Sequence, residues 1–168
     1  MNLPAYFLWC VHKSYSATER VIIGETMPDD ILDLLNEAIA RELGASIQYM
    51  WQHVIVERIE SPNLKDAFRD NAMDSMKRAM KIGERLFYLG GDPTVKPAPI
   101  NIGNSLREMI DLDLKSVNEA IKIYQKIIEL AAKEEDKNTR SMCEVILAEK
   151  EEQKHVLMCA RGRAIKKI

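Results

Sequence analysis

The chain has 168 residues, 46% of them hydrophobic and 30% charged, enough for one well-buried core and too few for two ordinary domains. Lys and Arg number 24 against 26 Asp and Glu, and no basic block tracks a phosphate backbone, so nucleic acid is not an expected partner. Cys10, Cys143 and Cys159 contain no Cys-x-x-Cys pair and cannot form a closed disulfide set, and no apolar run approaches the ~20 residues of a membrane span. No membrane contact and a reducing cytoplasm are therefore expected.

Residues 1–28 read as an N-terminal arm. Its run Pro4-Ala5-Tyr6-Phe7-Leu8-Trp9-Cys10-Val11 lacks a basic n-region and a small-residue cleavage site, so it does not read as a secretion signal. The aromatic residues Tyr6, Phe7 and Trp9 predict that the arm packs against something. Residues 29–168 are rich in Leu, Ile, Ala, Met, Glu and Lys, which lose little on entering a helix, and read as all-α. A first helix is predicted after Pro28-Asp29-Asp30 as far as about Glu60, ahead of Ser61-Pro62. A second follows from about Pro62 to Leu89 and ends at Gly90-Gly91, where glycine accepts the left-handed conformation. A third is predicted from about Gly103 to Lys133, and a fourth from about Asn138 to near Ala164, after the polar turn Glu134-Glu135-Asp136-Lys137.

Between the second and third helices, Pro93, Pro97 and Pro99 forbid a helix and favour extended backbone. A helix of this size is ~42 Å long and a dozen extended residues reach ~40 Å, so this linker can run the length of a bundle. The other two connections are short and make antiparallel hairpins. Four helices with one long crossover is the expected topology. Helical spacing puts Ile31, Leu35, Ala38, Glu42, Ala45, Tyr49, Gln52 and Val56 on the inner face of the first helix. The second contributes Leu64, Phe68, Asn71, Ser75, Arg78 and Ile82, and the third Leu106, Ile110, Asp113, Val117, Ala120, Tyr124 and Ile127. For the fourth the choice is Cys143, Ile146, Lys150, Gln153, Leu157 and Ala160. These stripes are apolar at their ends and, except in the third helix, clearly polar near the middle, the place where bundles gather metal ligands.

The run Glu42-Leu43-Gly44-Ala45-Ser46-Ile47-Gln48-Tyr49, then Asp74-Ser75-Met76-Lys77-Arg78-Ala79, then Glu84-Arg85-Leu86-Phe87-Tyr88-Leu89-Gly90-Gly91-Asp92-Pro93, resembles bacterioferritin and its ferritin-like relatives. The resemblance covers about residues 29–160 and implies a ferritin-like four-helix bundle. It also implies a di-iron ferroxidase centre: a Glu from the first and third helices and a Glu-x-x-His pair from each of the others. Glu42 matches the first position, but Ser75 and Arg78, Val117, and Lys150 and Gln153 stand at the remaining five. Serine and glutamine are feeble neutral ligands, valine is none, and arginine and lysine put positive charge where an iron would lie. One Glu facing an Arg and a Lys leaves a balance near +1, which repels a further cation. The expectation is that Arg78 and Lys150 pair with Glu42 in place of metals, with Ser75, Gln153 and Tyr49 completing the hydrogen bonds. The competing expectation is that both long side chains reach out to solvent.

Glu152 and His155 carry a second Glu-x-x-His spacing, but they sit two residues beyond the aligned pair, roughly 200° around the helix. With that face inward, Glu42, Glu152 and His155 could hold one metal; the solvated reading is preferred. His12 and His53 have no ligand partner at useful spacing. Second apolar stripes, Leu43, Ile47, Met50, Trp51 and Val54 on the first helix and Met73, Met76, Met80 and Phe87 on the second, predict a homo-oligomer paired through these two helices. Some bacterioferritins bind haem b at such a twofold through the methionine matching Met76, while plain interface packing is the simpler reading of it. The leading expectation is a subunit without ferroxidase activity or a required cofactor, serving as a structural, assembly or iron-storage shell subunit, alone or beside a ferritin-like paralogue. The alternatives are an iron-binding ferroxidase with an unusual site and a haem-binding module.

Overall fold

The computed structural model describes residues 29–56 and 62–165. Four helices in chain order make the fold: α1 (Asp29–Val56), α2 (Pro62–Tyr88), α3 (Leu106–Lys133) and α4 (Lys137–Ile165). No strand occurs among the described residues. The predicted N-terminal arm, with His12 and Cys10, and the predicted end of the first helix at Glu60 lie outside them.

Each helix end has a local cause. α2 stops in a Schellman arrangement: Gly90 at φ +90° donates to Phe87 O and Gly91 to Leu86 O, both at 3.0 Å. α3 ends the same way without a glycine, since Asp136 N reaches Ala131 O at 2.8 Å while Glu135 takes the left-handed position at φ 56°. Asp136 then caps α4 by accepting from Thr139 N at 3.0 Å, and Arg85 of α2 binds the same carboxylate at 2.7 Å. α3 begins at Leu106 and not at Gly103. Gly103 has φ +82°, whereas Ser105 is the N-cap, its Oγ accepting from Glu108 N at 3.3 Å. Glu108 reaches back to Asn104 N at 2.8 Å, so the helix starts where this reciprocal cap closes.

The crossover runs up α1 as a strap, anchored at almost every helical turn. Asn36 binds Asp92 O and Thr94 N, Ala40 O accepts from Ala98 N at 2.7 Å, Gln48 Oε1 accepts from Asn101 N, and Gln52 donates to Ile102 O. Gly44 stands in the same row because a Cβ there would lie 2.8 Å from Ala98 O. The strap carries the chain back to the C-terminal end of α1, so α3 descends antiparallel to α1.

Apolar clusters close both ends. One gathers Ile31, Leu35, Ile82, Leu86, Ile127 and Ile146; the other holds Val56, Phe68 and Met109, with the Tyr49 ring stacked on Phe68 at 6.0 Å between centroids. A third joins Ile110, Leu114 and Val117 of α3 to Leu157 of α4. At ~25 cal/mol per Å² of apolar surface removed from water, these clusters supply the main favourable term for folding. Between them lies the polar middle.

Candidate functional site

The middle of the bundle is organised around one carboxylate. Glu42 of α1 is 1% exposed, and α2, α3 and α4 each send a donor to it. Lys150 Nζ lies 2.9 Å from Oε1 and 3.0 Å from Oε2. Arg78 Nε donates to Oε2 at 3.2 Å, and Tyr124 OH donates to Oε1 at 2.7 Å. Neither oxygen is free. The Arg78 guanidinium continues outward, donating to Ser75 Oγ at 3.3 Å and to Glu149 Oε2 at 3.0 Å. Val117 of α3 is buried among Ile110, Leu114, Ile121 and Leu157 and offers only hydrocarbon.

Electrostatics follow from this packing. Burial alone would raise the Glu42 carboxyl, but Lys150 and then Arg78 overcome it and hold the group below its usual 4.5. For Lys150, burial is the largest influence and outweighs the pull of Glu42, so its ammonium is drawn below the usual 10.5, with Arg78 adding repulsion. The two directions oppose each other across one ion pair. The geometry favours the ionised pair, because an ammonium touching both oxygens of a carboxylate is a better partner there than a neutral amine. Burial pushes the Tyr124 phenol well above 10, with the Glu42 charge adding to it, so Tyr124 remains a neutral donor.

The structure brings Glu42, Ser75, Arg78 and Lys150 together, and neither Arg78 nor Lys150 turns out to solvent, whereas Val117 packs in the apolar cluster of α3 and α4. Three details differ from the sequence expectation, the first being that Gln153 does not reach the Glu42 cluster. The tyrosine on Glu42 is Tyr124 and not Tyr49, because antiparallel α1 and α3 bring residue 124 level with residue 42. Tyr49 instead accepts from Gln153 Nε2 at 3.1 Å, seven residues or ~10 Å further along α1. Glu149 was not foreseen, and its second carboxylate offsets the expected positive balance. The trio Glu42, Glu152 and His155 is not brought together, since Glu152 and His155 are exposed while Glu42 is interior. His155 Nε2 lies instead 3.8 Å from Cys159 Sγ, one turn along the same outer face. His53 uses Nδ1 on the carbonyl of Lys65 at 2.7 Å; a carbonyl can only accept, so that nitrogen carries the proton. Among the described residues no three His, Cys, Asp or Glu side chains converge as a metal-binding group.

Sequence reasoning also missed a second polar layer. Asp113 of α3 is fully buried and accepts from Gln48 Nε2 at 2.7 Å and Gln52 Nε2 at 3.0 Å. Asp113 and Gln52 were visible on the inner stripes, but Gln48 lies off the predicted stripe of α1, so nothing in the spacing paired it with Asp113.

A family profile described as the ferritin-like domain matches residues 32–160. The chain belongs to the ferritin-like family. Within it, the chain is 29% identical over 127 residues to a bacterioferritin of Desulfovibrio desulfuricans, covering 75% of this chain and 70% of that protein. To a bacterioferritin of Mycolicibacterium paratuberculosis it is 30% identical over 128 residues, 76% of this chain and 79% of that one. Among solved ferritin-like structures, Rhodobacter capsulatus bacterioferritin superposes with a TM-score of 0.79 at 24% identity, covering 84% of this chain and 89% of that chain. That structure is described as having a metal-free dinuclear site and a haem iron. A Desulfovibrio desulfuricans bacterioferritin structure, described with a di-iron site in different catalytic states, superposes with a TM-score of 0.77 at 25% identity, covering 83% and 82%. The ferritin-like bundle with its long crossover is thus the architecture of this chain.

Proposed function

We propose that this protein is a bacterioferritin-related shell subunit in which a fixed ion cluster replaces the di-iron ferroxidase centre, so that it builds or stores but does not itself oxidise iron. The observation that carries this reading is that both oxygens of Glu42 are taken by Lys150, Arg78 and Tyr124. The donor set does not fit two divalent ions. A metal would have to displace an ammonium and a guanidinium already bound to the one central carboxylate, and Val117, Ser75 and Gln153 offer no anionic ligand in return. Glu149 is tied to Arg78 and half-exposed. The remaining role is architectural: a rigid subunit that pairs through α1 and α2, with itself or with a ferritin-like paralogue that keeps an intact site.

The test is aerobic Fe(II) oxidation with metal analysis of the purified protein, beside a variant carrying Ser75→Glu, Arg78→His, Val117→Glu, Lys150→Glu and Gln153→His. The natural chain should oxidise Fe(II) no faster than buffer and hold no iron pair at Glu42, while the variant gains both. Two irons per natural chain at this layer would end the proposal. A second reading is favoured by one observation: Met76 is 39% exposed on the apolar α1/α2 face, where it could serve as a haem ligand between paired chains. A Soret band that Met76→Leu removes, in protein grown with sufficient iron, would establish haem b binding.

A further inference from the structure

Asp113 is a buried carboxylate without a cation. It forms no ion pair among the described residues, and only Oδ1 is satisfied, by the amides of Gln48 and Gln52. Asp113 Oδ2 and Gln52 Oε1 are both buried and have no hydrogen-bond partner. The layer therefore has more acceptors than donors, and a proton on Oδ2 is the group it lacks. The same two glutamines hold the end of the crossover, since Gln48 Oε1 takes the amide of Asn101 at 3.1 Å and Gln52 Nε2 reaches Ile102 O at 3.1 Å. One carboxyl thus joins α3, α1 and the strap.

We propose that Asp113 is a proton-operated latch for the crossover: protonated, it keeps the segment around Ala98–Ile102 seated on α1, and ionised, it loosens that segment.

The surroundings explain why the response falls on the strap. α1 faces Asp113 with Gln48, Gln52 and the Tyr49 phenol, which burial and the Asp113 charge together keep neutral. The crossover faces it with backbone groups. The buried cations of α2 and α4, Arg78 and Lys150, are committed to Glu42. Beyond the two amides on Oδ1, an ionised Asp113 can therefore be stabilised further only by water, and the three helices around it resist opening because their backbones are bonded internally. The strap is attached more sparsely, and it borders a groove of about 520 Å³ lined by Arg41, Gly44, Gln48, Asn101 and Lys115 that already admits solvent. Burial, opposed by the two amides, raises the carboxyl from 3.8 to about 7. A raised acid favours the closed form fully below its ordinary value and loses that contribution as pH rises through about 7.

Hydrogen exchange of the whole protein followed by mass spectrometry tests the latch. After correction for the intrinsic base-catalysed rate, protection of amides in the Ala98–Ile102 stretch should fall on the order of thirtyfold from about pH 5.5 to about pH 8, while α2 and α4 keep theirs. In Asp113→Asn, a neutral side chain of the same shape, the strap should show no such dependence. Equal strap protection at both pH values, or a dependence that survives in Asp113→Asn, would overturn the proposal. If that variant fails to fold, the wild-type infrared spectrum decides: a protonated-carboxyl stretch disappearing near pH 7 supports the latch, and its absence above about pH 5 refutes it.

Discussion

Glu42 shows how much depends on a single buried charge. Its replacement by Gln keeps the shape but strands Lys150 in the interior and leaves Arg78 only Glu149, at an expected cost of about 3–5 kcal/mol, read as a lower denaturation midpoint in urea. Converting the cluster wholesale, with Glu42→Leu, Arg78→Leu and Lys150→Met, should recover most of that loss, because no unpaired charge remains buried and the half-exposed Glu149 is left to water. The pH dependence has a definite sign. The Glu42 carboxyl is held below 4.5 in the fold, so its contribution is present above that value and is lost as pH falls through the lowered one. Acid titration of stability should therefore be shallower in Glu42→Gln than in the parent chain. The residues of this cluster were legible in the sequence as polar interruptions of apolar stripes, and the direction of their effect followed from charge alone. Which tyrosine meets Glu42 was not legible. Helical spacing gives the face of a side chain, whereas its height against a neighbouring helix depends on how α3 is set against α1. Glu149 escaped notice for a related reason: it lies off the inner stripe, and the length of Arg78 brings the two together.

At the level of whole elements, helix positions followed closely from glycine, proline and capping residues. The departures lie where a local hydrogen bond outvoted composition. Composition points to a helix start at Gly103, yet its positive φ ends the strap, and Ser105 with Glu108 begins α3. The strap's seat on α1 was hidden because its row of Asn36, Ala40, Gly44, Gln48 and Gln52 is mixed in polarity and has no hydrophobic period. Its tightest point can be tested: Gly44→Ala would put a methyl 2.8 Å from Ala98 O, so the strap must shift, at an expected loss of roughly 1–3 kcal/mol with faster exchange of the Ala98 amide. The α3–α4 turn offers the opposite experiment. Glu135 occupies the left-handed position that favours glycine, at φ 56°. Glu135→Gly should relieve that strain and raise stability by up to about 1 kcal/mol, seen as a higher Tm.

For the molecule as a whole, the length of the linker dictates the topology, because only a strap spanning the bundle allows two antiparallel hairpins to be joined this way. What the single chain leaves open is its outer face. Met50, Trp51 and Val54 of α1 and Met73, Met76, Met80 and Phe87 of α2 are all exposed, Phe87 to 70%. A face this apolar on a helix pair whose other side is already core is costly to leave in water, and a second α1/α2 pair related by a twofold axis would cover it with the same residues. The long, flexible methionines suit such a self-complementary contact because they can repack without a unique fit. Trp51 is the residue on which this can be decided, since a large half-exposed aromatic, if an interface covers it, carries more of the association energy than its neighbours. Trp51→Glu together with Met80→Lys should leave the helix content and thermal transition of the subunit nearly unchanged, because both side chains point away from the core. The apparent mass in sedimentation should fall to that of a single chain at micromolar concentration. If the doubly charged variant sediments like the parent, the α1/α2 face is not where the chains meet.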